Sequence, residues 1–486
     1  MWSIPRSLIE VYHLRLILNP ILEQFLREAY HKLYNARGQE PKAKVNSKNM
    51  ENKKIMVVWL CHFSNSFVHE KLELKYNPVI KVIRKLAHKS VSLDVPEFAN
   101  WITNGIREFE KIDEVELHVI SPYPHLKAKL QEFEENGIHY HFFRSEDDQA
   151  ITFFYKQLCR PQWDLYKRNS QTILHIIDRV QPQIVHLFGA ENPDYAVGIL
   201  NVPKGIITIA QLQTLLNDPT FIANAKADNS FNNKLLIEKN IIQQADYVGT
   251  PAAKYREIIH RDMNPSAIIL NTGLALKDPV VTEQCEKKYD FVYFAANISK
   301  AADLAIEAFA IAYKTKPDIT LDVIGGYADE YKSNLDSIID KCDIREAVTF
   351  EGSLPTHDDV LKQIRLSRFA LLPLKVDLTS GTIREAMSNG LPVVTTDTGE
   401  LGTQKLNLKR QNVLISPIGD HQALASNMLR LLDDENLAET LRQNAYQTRS
   451  EVRSNEMTAR RYVEAYKACI DHSKNGTPLP ASITEV

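Results

Sequence analysis

Short, unbroken apolar runs alternate with helix-length amphipathic stretches along most of this 486-residue chain. Ile55–Leu60 is apolar at every position and too short for a buried helix, the pattern of a strand covered on both faces. Val115–Ile120, Ile184–Phe188 and Gly205–Ala210 repeat it, with weaker runs at Ile138–Phe143, Tyr247–Gly249 and Ala267–Leu270. Helix-like stretches lie between them, among them Trp101–Lys111, His125–Glu135 and Trp163–Val180. Alternation of this kind predicts a parallel sheet wrapped by helices.

A polar segment, Asn271–Lys288, holds Gly273 and Pro279 and reads as a hinge. Beyond it the series begins again at Phe291–Ala295, Ile319–Ile324, Ala347–Phe350, Phe369–Pro373, Pro392–Thr396 and Asn412–Ile415. Helical patterns fit between these runs and then fill the chain to His472. The expected fold class is therefore α/β, with two Rossmann-like doubly wound domains in tandem. Such sheets bind ligands beyond the carboxyl ends of their strands, so two of them facing one another make a central cleft for a small molecule.

Charge and cysteine usage narrow the function. With 58 basic and 61 acidic side chains there is no global basic field, and nucleic acid is not expected as a partner. Five scattered cysteines, odd in number and with no CxxC pair, argue for a reducing cytoplasm rather than a disulfide framework or zinc–thiolate site. No apolar run approaches the ~20 residues of a membrane span, and the first residues do not read as a signal peptide. Residues 1–49 stand apart. Ile21, Leu22, Phe25, Leu26, Tyr30 and Leu33 recur at helical spacing, which predicts a helical extension that docks on protein or lies on a membrane surface, with Met50 as an alternative start.

Chemistry concentrates in Leu371–Thr395. An apolar strand ends at Pro373, a loop carries Asp377 and the turn Ser380-Gly381-Thr382, and a helix runs from Thr382 towards Gly390. A helix start with a glycine in its turn suits a diphosphate, because its N–H groups and dipole are unspent and the glycine admits close approach. Asp377 and Glu385 bracket that turn as acceptors for sugar and ribose hydroxyls; an ordinary strand–turn–helix connection with solvated acids is the alternative. At the carboxyl end of the Ile184–Phe188 run, Glu191 and Asn192 are cleft candidates, and Gln211 and Gln213 end the next run. His186 reads as strand-end packing. His139 and His141 share one strand face, and two histidines alone read as packing rather than a metal site.

The same segment resembles the retaining glycosyltransferases of family 4, which have the GT-B architecture. That family shows two acids with seven residues between them, then Ala-Met and Gly-x-Pro-Val-Val; here stand Asp377, Glu385-Ala386-Met387 and Gly390-Leu391-Pro392-Val393-Val394. The first acid is Asp where the family usually has Glu. Phe291–Ala308 resembles the family's strand, loop and helix with a phosphate-binding lysine, which falls on Lys300; alone, Lys300 would be a solvated helix-start lysine. The family's upstream arginine falls on Ala295 or Ala296, so one diphosphate cation is missing, and Arg384 is a candidate substitute. Val348–Ser353, with Gly352, resembles the segment against the nucleobase. The glycine-rich loop after the first strand reads Cys61–Phe67 here, without glycine.

The resemblance implies transfer of a sugar from a nucleotide-diphosphate sugar to a glycan or lipid-linked acceptor with retention of configuration, in cell-surface polysaccharide synthesis. No metal or other cofactor is expected. The chain is expected in the cytoplasm, with peripheral contact at the inner membrane face. A GT-B epimerase, a phosphorylase or an inactive sugar-nucleotide-binding subunit are the alternatives. The implied organisation is a helical extension over residues 1–49, an acceptor-side domain over 50–278, a nucleotide-sugar domain over 279–453, a helix over 454–472 packing back on the first domain, and a frayed tail over 473–486.

Overall fold

The structure, a computed structural model, describes residues 54–75, 97–123, 125–145, 166–224, 229–283, 285–295, 301–327, 329–375, 381–399 and 402–485. The extension expected over residues 1–49 lies outside them. The first half of the described chain contributes β1 (Ile55–Leu60), α1 (Ser66–Lys71), α2 (Asn100–Phe109), β2 (Val115–Tyr123), β3 (Leu130–Glu135), β4 (Ile138–Arg144), α3 (Lys167–Val180), β5 (Ile184–Phe188), β6 (Ile207–Gln211), β7 (Tyr247–Gly249) and β8 (Ile269–Leu270). These strands form one sheet in the order β3-β4-β2-β1-β5-β6-β7-β8. All neighbours are parallel except β3 and β4.

β3 corrects an expectation: residues 130–135 belong to a strand, not to a helix over His125–Glu135. The chain turns back at Asn136 and Gly137, both in the left-handed region at φ 51° and 76°. An Asn-Gly pair meets that demand for two successive positive φ angles, and the two-residue turn sets Glu135 opposite Ile138 and Phe133 opposite Tyr140. Phe133 packs on the first core from this edge strand, while its neighbours Glu132 and Glu134, on the alternate positions, are the more exposed.

After the hinge segment come β9 (Tyr289–Phe294), α4 (Ala302–Thr315), β10 (Leu321–Ile324), β11 (Val348–Gly352), α5 (His357–Ile364), β12 (Ser367–Leu372), α6 (Gly381–Ser388), β13 (Val393–Thr396) and β14 (Val413–Ser416). This second sheet is parallel throughout, in the order β11-β10-β9-β12-β13-β14. Phe291, Phe309, Leu371, Met387 and Met428 lie in its single continuous core. Strand, crossover helix, parallel strand is the order the alternating runs demand.

The last long helix, α7 (Asn455–Asn475), follows the second sheet in sequence but packs on the first. Its Tyr462, Val463, Tyr466 and Cys469 fill one face of the first core with Trp59, Phe109 and Phe188. The Tyr466 hydroxyl accepts from Trp59 Nε1 at 2.9 Å and meets His186 Nδ1 at 2.7 Å. Residues beyond it are not frayed: Ile483 is buried in the same core as Leu270, and its carbonyl accepts from Asn271 N at 2.6 Å. No helix among the described residues is long and apolar enough to cross a membrane.

Candidate functional site

Strand order reverses between β1 and β5 in the first sheet and between β9 and β12 in the second. Adjacent connections there leave in opposite directions, which opens a crevice at the carboxyl ends of the strands. In the second sheet the crevice opens at the carboxyl ends of β9 and β12. In sequence Lys300 follows β9, and Asp377 and Ser380 follow β12; all three lie outside the described residues.

α6 starts at Gly381, beside that crevice, and the first N–H groups of a helix have no intrahelical acceptor. A Cβ on Gly381 would lie 3.6 Å from Arg384 Nη2 and 3.9 Å from Glu385 Oε1. Both side chains thus lean back over the first turn, as helical side chains do. Gly381, Thr382 and Glu385 are brought together as the spacing requires. Glu385 is half-buried, and its Oε1 lies 3.6 Å from His357 Nε2. Arg384 donates through Nη1 to Leu276 O at 3.2 Å, while its buried Nε has no partner among the described residues. Arg449 stands behind it, bonded to Ser388 Oγ, Leu276 O and Asp278 Oδ2 at 3.0, 2.9 and 3.0 Å. Burial lowers the pKa of Arg449, and the Asp278 charge opposes that shift.

His357 reaches Glu385 because α5 begins there. Thr356 caps the helix in a reciprocal box with Asp359, which fixes the entry of the chain. The backbone N–H of His357 donates to Glu97 Oε2 at 3.0 Å, and Glu97 Oε1 accepts from Ser66 N at 2.5 Å. Glu97 thereby joins the first turn of α1 in one domain to the first turn of α5 in the other. The carboxyl ends of the two sheets face one another across this contact. Gly352 closes β11 at φ 72°, and its carbonyl accepts from Gly325 N at 2.8 Å; a Cβ there would meet open space.

In the first domain, Glu191 and Asn192 follow β5 at its switch point. Glu191 Oε1 takes the Asn192 amide at 3.1 Å. Gln213, turned so that its nitrogen faces Glu191 at 3.1 Å, accepts from Trp101 Nε1 at 3.2 Å. Burial pushes the Glu191 carboxyl up to about 8, and its Oε2 has no partner among the described residues. Gln211 is not available to the cleft: its amide is spent on Gly249 O, Thr272 O and Thr272 Oγ1 inside the core. His186 packs between Phe188 and Tyr462, as its strand position suggests. His357, Glu97 and Trp101 were not legible as site residues. A capping box before a histidine is a local signal for the helix, not for what that histidine faces.

Two facing Rossmann-like domains with the switch-point crevices between them define the GT-B architecture. Solved structures share it: the sucrose-phosphate synthase of Thermosynechococcus elongatus has a TM-score of 0.60 at 14% identity, over 85% of this chain and 98% of that one. Anabaena HepE in complex with UDP and glucose has a TM-score of 0.55 at 13% identity, over 85% and 99%. A glycosyltransferase from Rickettsia africae ESF-5 has a TM-score of 0.51 at 13% identity, over 87% and 99%. Residues 280–448, the second domain, match the family model of the glycosyl transferases group 1, so fold and family match together support the GT-B glycosyltransferase superfamily. No curated protein matches the chain in sequence.

Proposed function

We propose that this protein is a retaining glycosyltransferase that takes a sugar from a nucleotide-diphosphate sugar and adds it to a glycan or lipid-linked acceptor. The supporting observation is the first turn of α6, where Gly381, Arg384 and Glu385 converge at the switch point of the domain that matches the glycosyl transferases group 1. UDP and glucose in the HepE complex make a UDP-hexose the first donor to test.

In this reading the bond between the anomeric carbon and the diphosphate oxygen breaks, and the diphosphate gains negative charge. Lys300 and the first N–H groups of α6 receive that charge, and Ser380 and Thr382 bind the same oxygens. Arg384 supplies the second cation from the α6 side. Glu385 accepts from the ribose hydroxyls, with His357 beside it, and Asp377 accepts from the donor sugar. The acceptor oxygen bonds to the anomeric carbon on the face the diphosphate leaves, and its proton passes to a diphosphate oxygen. Gly352 lines the nucleobase end, and Glu191 and Asn192 face the sugar from the other domain. This chemistry uses no metal. Cytoplasmic polysaccharide synthesis at the inner membrane face is the setting proposed.

The test incubates purified protein with labelled UDP- and GDP-sugars and a glycan or lipid-linked acceptor panel, and reads product anomer by NMR. Transfer with retained configuration, lost in Lys300→Ala and Glu385→Ala, is expected. Nucleotide binding without turnover of any donor would instead make the chain an inactive binding subunit, and an inverted product would overturn the mechanism.

A further inference from the structure

At the opposite end of the first sheet from the cleft, three histidines and three glutamates share one face of β2, β4 and β3. In the parallel register His118 lies beside His139, and in the antiparallel one His141 faces Glu132 and His139 faces Glu134. The rings of His118 and His139 stack with centroids 4.4 Å apart, and those of His118 and His141 at 5.3 Å. His118 and His141 are buried, and Glu116 and His139 are half-exposed.

Three contacts run in series through this face. Glu132 Oε1 meets His141 Nδ1 at 2.5 Å, His141 Nε2 meets His118 Nδ1 at 3.0 Å, and His118 Nε2 meets Glu116 Oε1 at 3.3 Å. Both ends are carboxylates, so each of the three gaps needs a hydrogen. Two neutral imidazoles bring two. Arg179 grips Glu132 at 2.5 and 3.2 Å and keeps it an acceptor, which makes His141 Nδ1 the donor to it. His118 Nδ1 then donates to His141, and His118 Nε2 is left as a bare lone pair facing a carboxylate oxygen.

That gap is where a third nitrogen arrives. His139 Nε2 lies 3.9 Å from Glu116 Oε1, and its Nδ1 is turned to Glu134 Oε2 at 3.6 Å. One ligand atom from each of Glu116, His118 and His139 lies within 4.8 Å of the others. A tetrahedral zinc site has ligand atoms about 3.3 Å apart; the remaining closure falls on the two half-exposed members. Each ligating histidine also has its other nitrogen directed at an acceptor, the arrangement that orients imidazole ligands.

We infer that Glu116, His118 and His139 form a binding site for a divalent zinc-type cation, which supplies the positive charge the chain of contacts lacks and clips β4 to β2. The donor set of two imidazoles and one carboxylate suits Zn²⁺. The site lies outside the cleft and is independent of the proposed transferase reaction.

The test is calorimetric titration of the chelator-stripped full chain with zinc chloride at neutral pH, with thermal unfolding and the visible spectrum of the Co²⁺ form read in parallel. One zinc per chain and a raised melting temperature are expected. Glu116→Gln and His139→Ala, both at half-exposed positions and checked for fold by circular dichroism, are expected to weaken binding at least ~10-fold, as is Glu132→Gln through its hold on His141. Failure of the wild-type chain to take up zinc, or uptake unchanged in both ligand variants, would overturn the site. So would histidine NMR showing His118 protonated on both nitrogens with zinc present, because a proton would then fill the gap.

Discussion

Glu385 is the residue on which the proposed donor site turns, and its position beside Gly381 was legible from spacing: the two are four apart and meet on one helical face. Its partner was not, because His357 arrives from another strand connection. Replacing Glu385 with Gln removes a charged acceptor for hydroxyls, and a charge-assisted hydrogen bond of about 1.5–3 kcal/mol corresponds to a rise of about 10- to 150-fold in KM for the donor. Arg384→Ala is expected to lower kcat by about 100-fold if its guanidinium meets the leaving diphosphate, with steady-state kinetics as the measure. Glu191 gives a pH prediction. Burial raises its pKa from 4.5 to about 8 in the folded chain. Below pH 4.5 both states hold the proton and the contribution is complete; between pH 4.5 and 8 only the folded state holds it, so stability falls as pH rises. Glu238, raised by burial to about 7, acts with the same sign. Burial lowers the pKa values of His62, His118, His141 and His186, which act with the opposite sign up to pH 6.5, so the measure is a comparison: from pH 5.5 to pH 8 the stability of Glu191→Gln in chemical denaturation is expected to rise relative to the wild-type chain.

Among the elements, most parallel strands announced themselves as continuous apolar runs, because burial on both faces favours apolar side chains at successive positions. β3 did not, because an edge strand with one face in solvent mixes Glu with Phe and reads equally well at helical spacing. Asn136-Gly137 was the signal that identifies the hairpin. The histidine face was half legible: His139 and His141 share one strand, but His118 joins them only through the β2–β4 register, which the sequence alone does not state. Nor could it state that Glu97 touches both α1 and α5. The two N–H groups that Glu97 serves belong to different domains, so Glu97→Ala is expected to leave each sheet intact and loosen the approach of the two. Small-angle scattering would read this as a larger radius of gyration, with unchanged far-ultraviolet circular dichroism.

At the scale of the molecule, the two lobes are joined twice. The chain passes from the first sheet to the second through the segment that follows β8, and returns through α7. Lys277 marks where these passages touch: its N donates to Asn455 Oδ1 at 2.9 Å, and its Nζ donates to the Arg449 and Ser450 carbonyls at 2.5 and 2.9 Å. Deleting residues 454–486 would strip Tyr462 and Tyr466 from Trp59 and Phe188, and the product is expected to be insoluble or to bind hydrophobic dyes. Tyr466→Phe is the milder test. It leaves the buried Trp59 Nε1–H without its acceptor, at a cost of about 1–3 kcal/mol in chemical denaturation.

The same return path orders events at birth. A ribosome releases the eight strands of the first sheet long before residue 475, so that lobe emerges with a greasy flank that α7 seals. Its maturation waits for the synthesis of α7, and a nascent chain stalled within the second lobe would present that flank to chaperones.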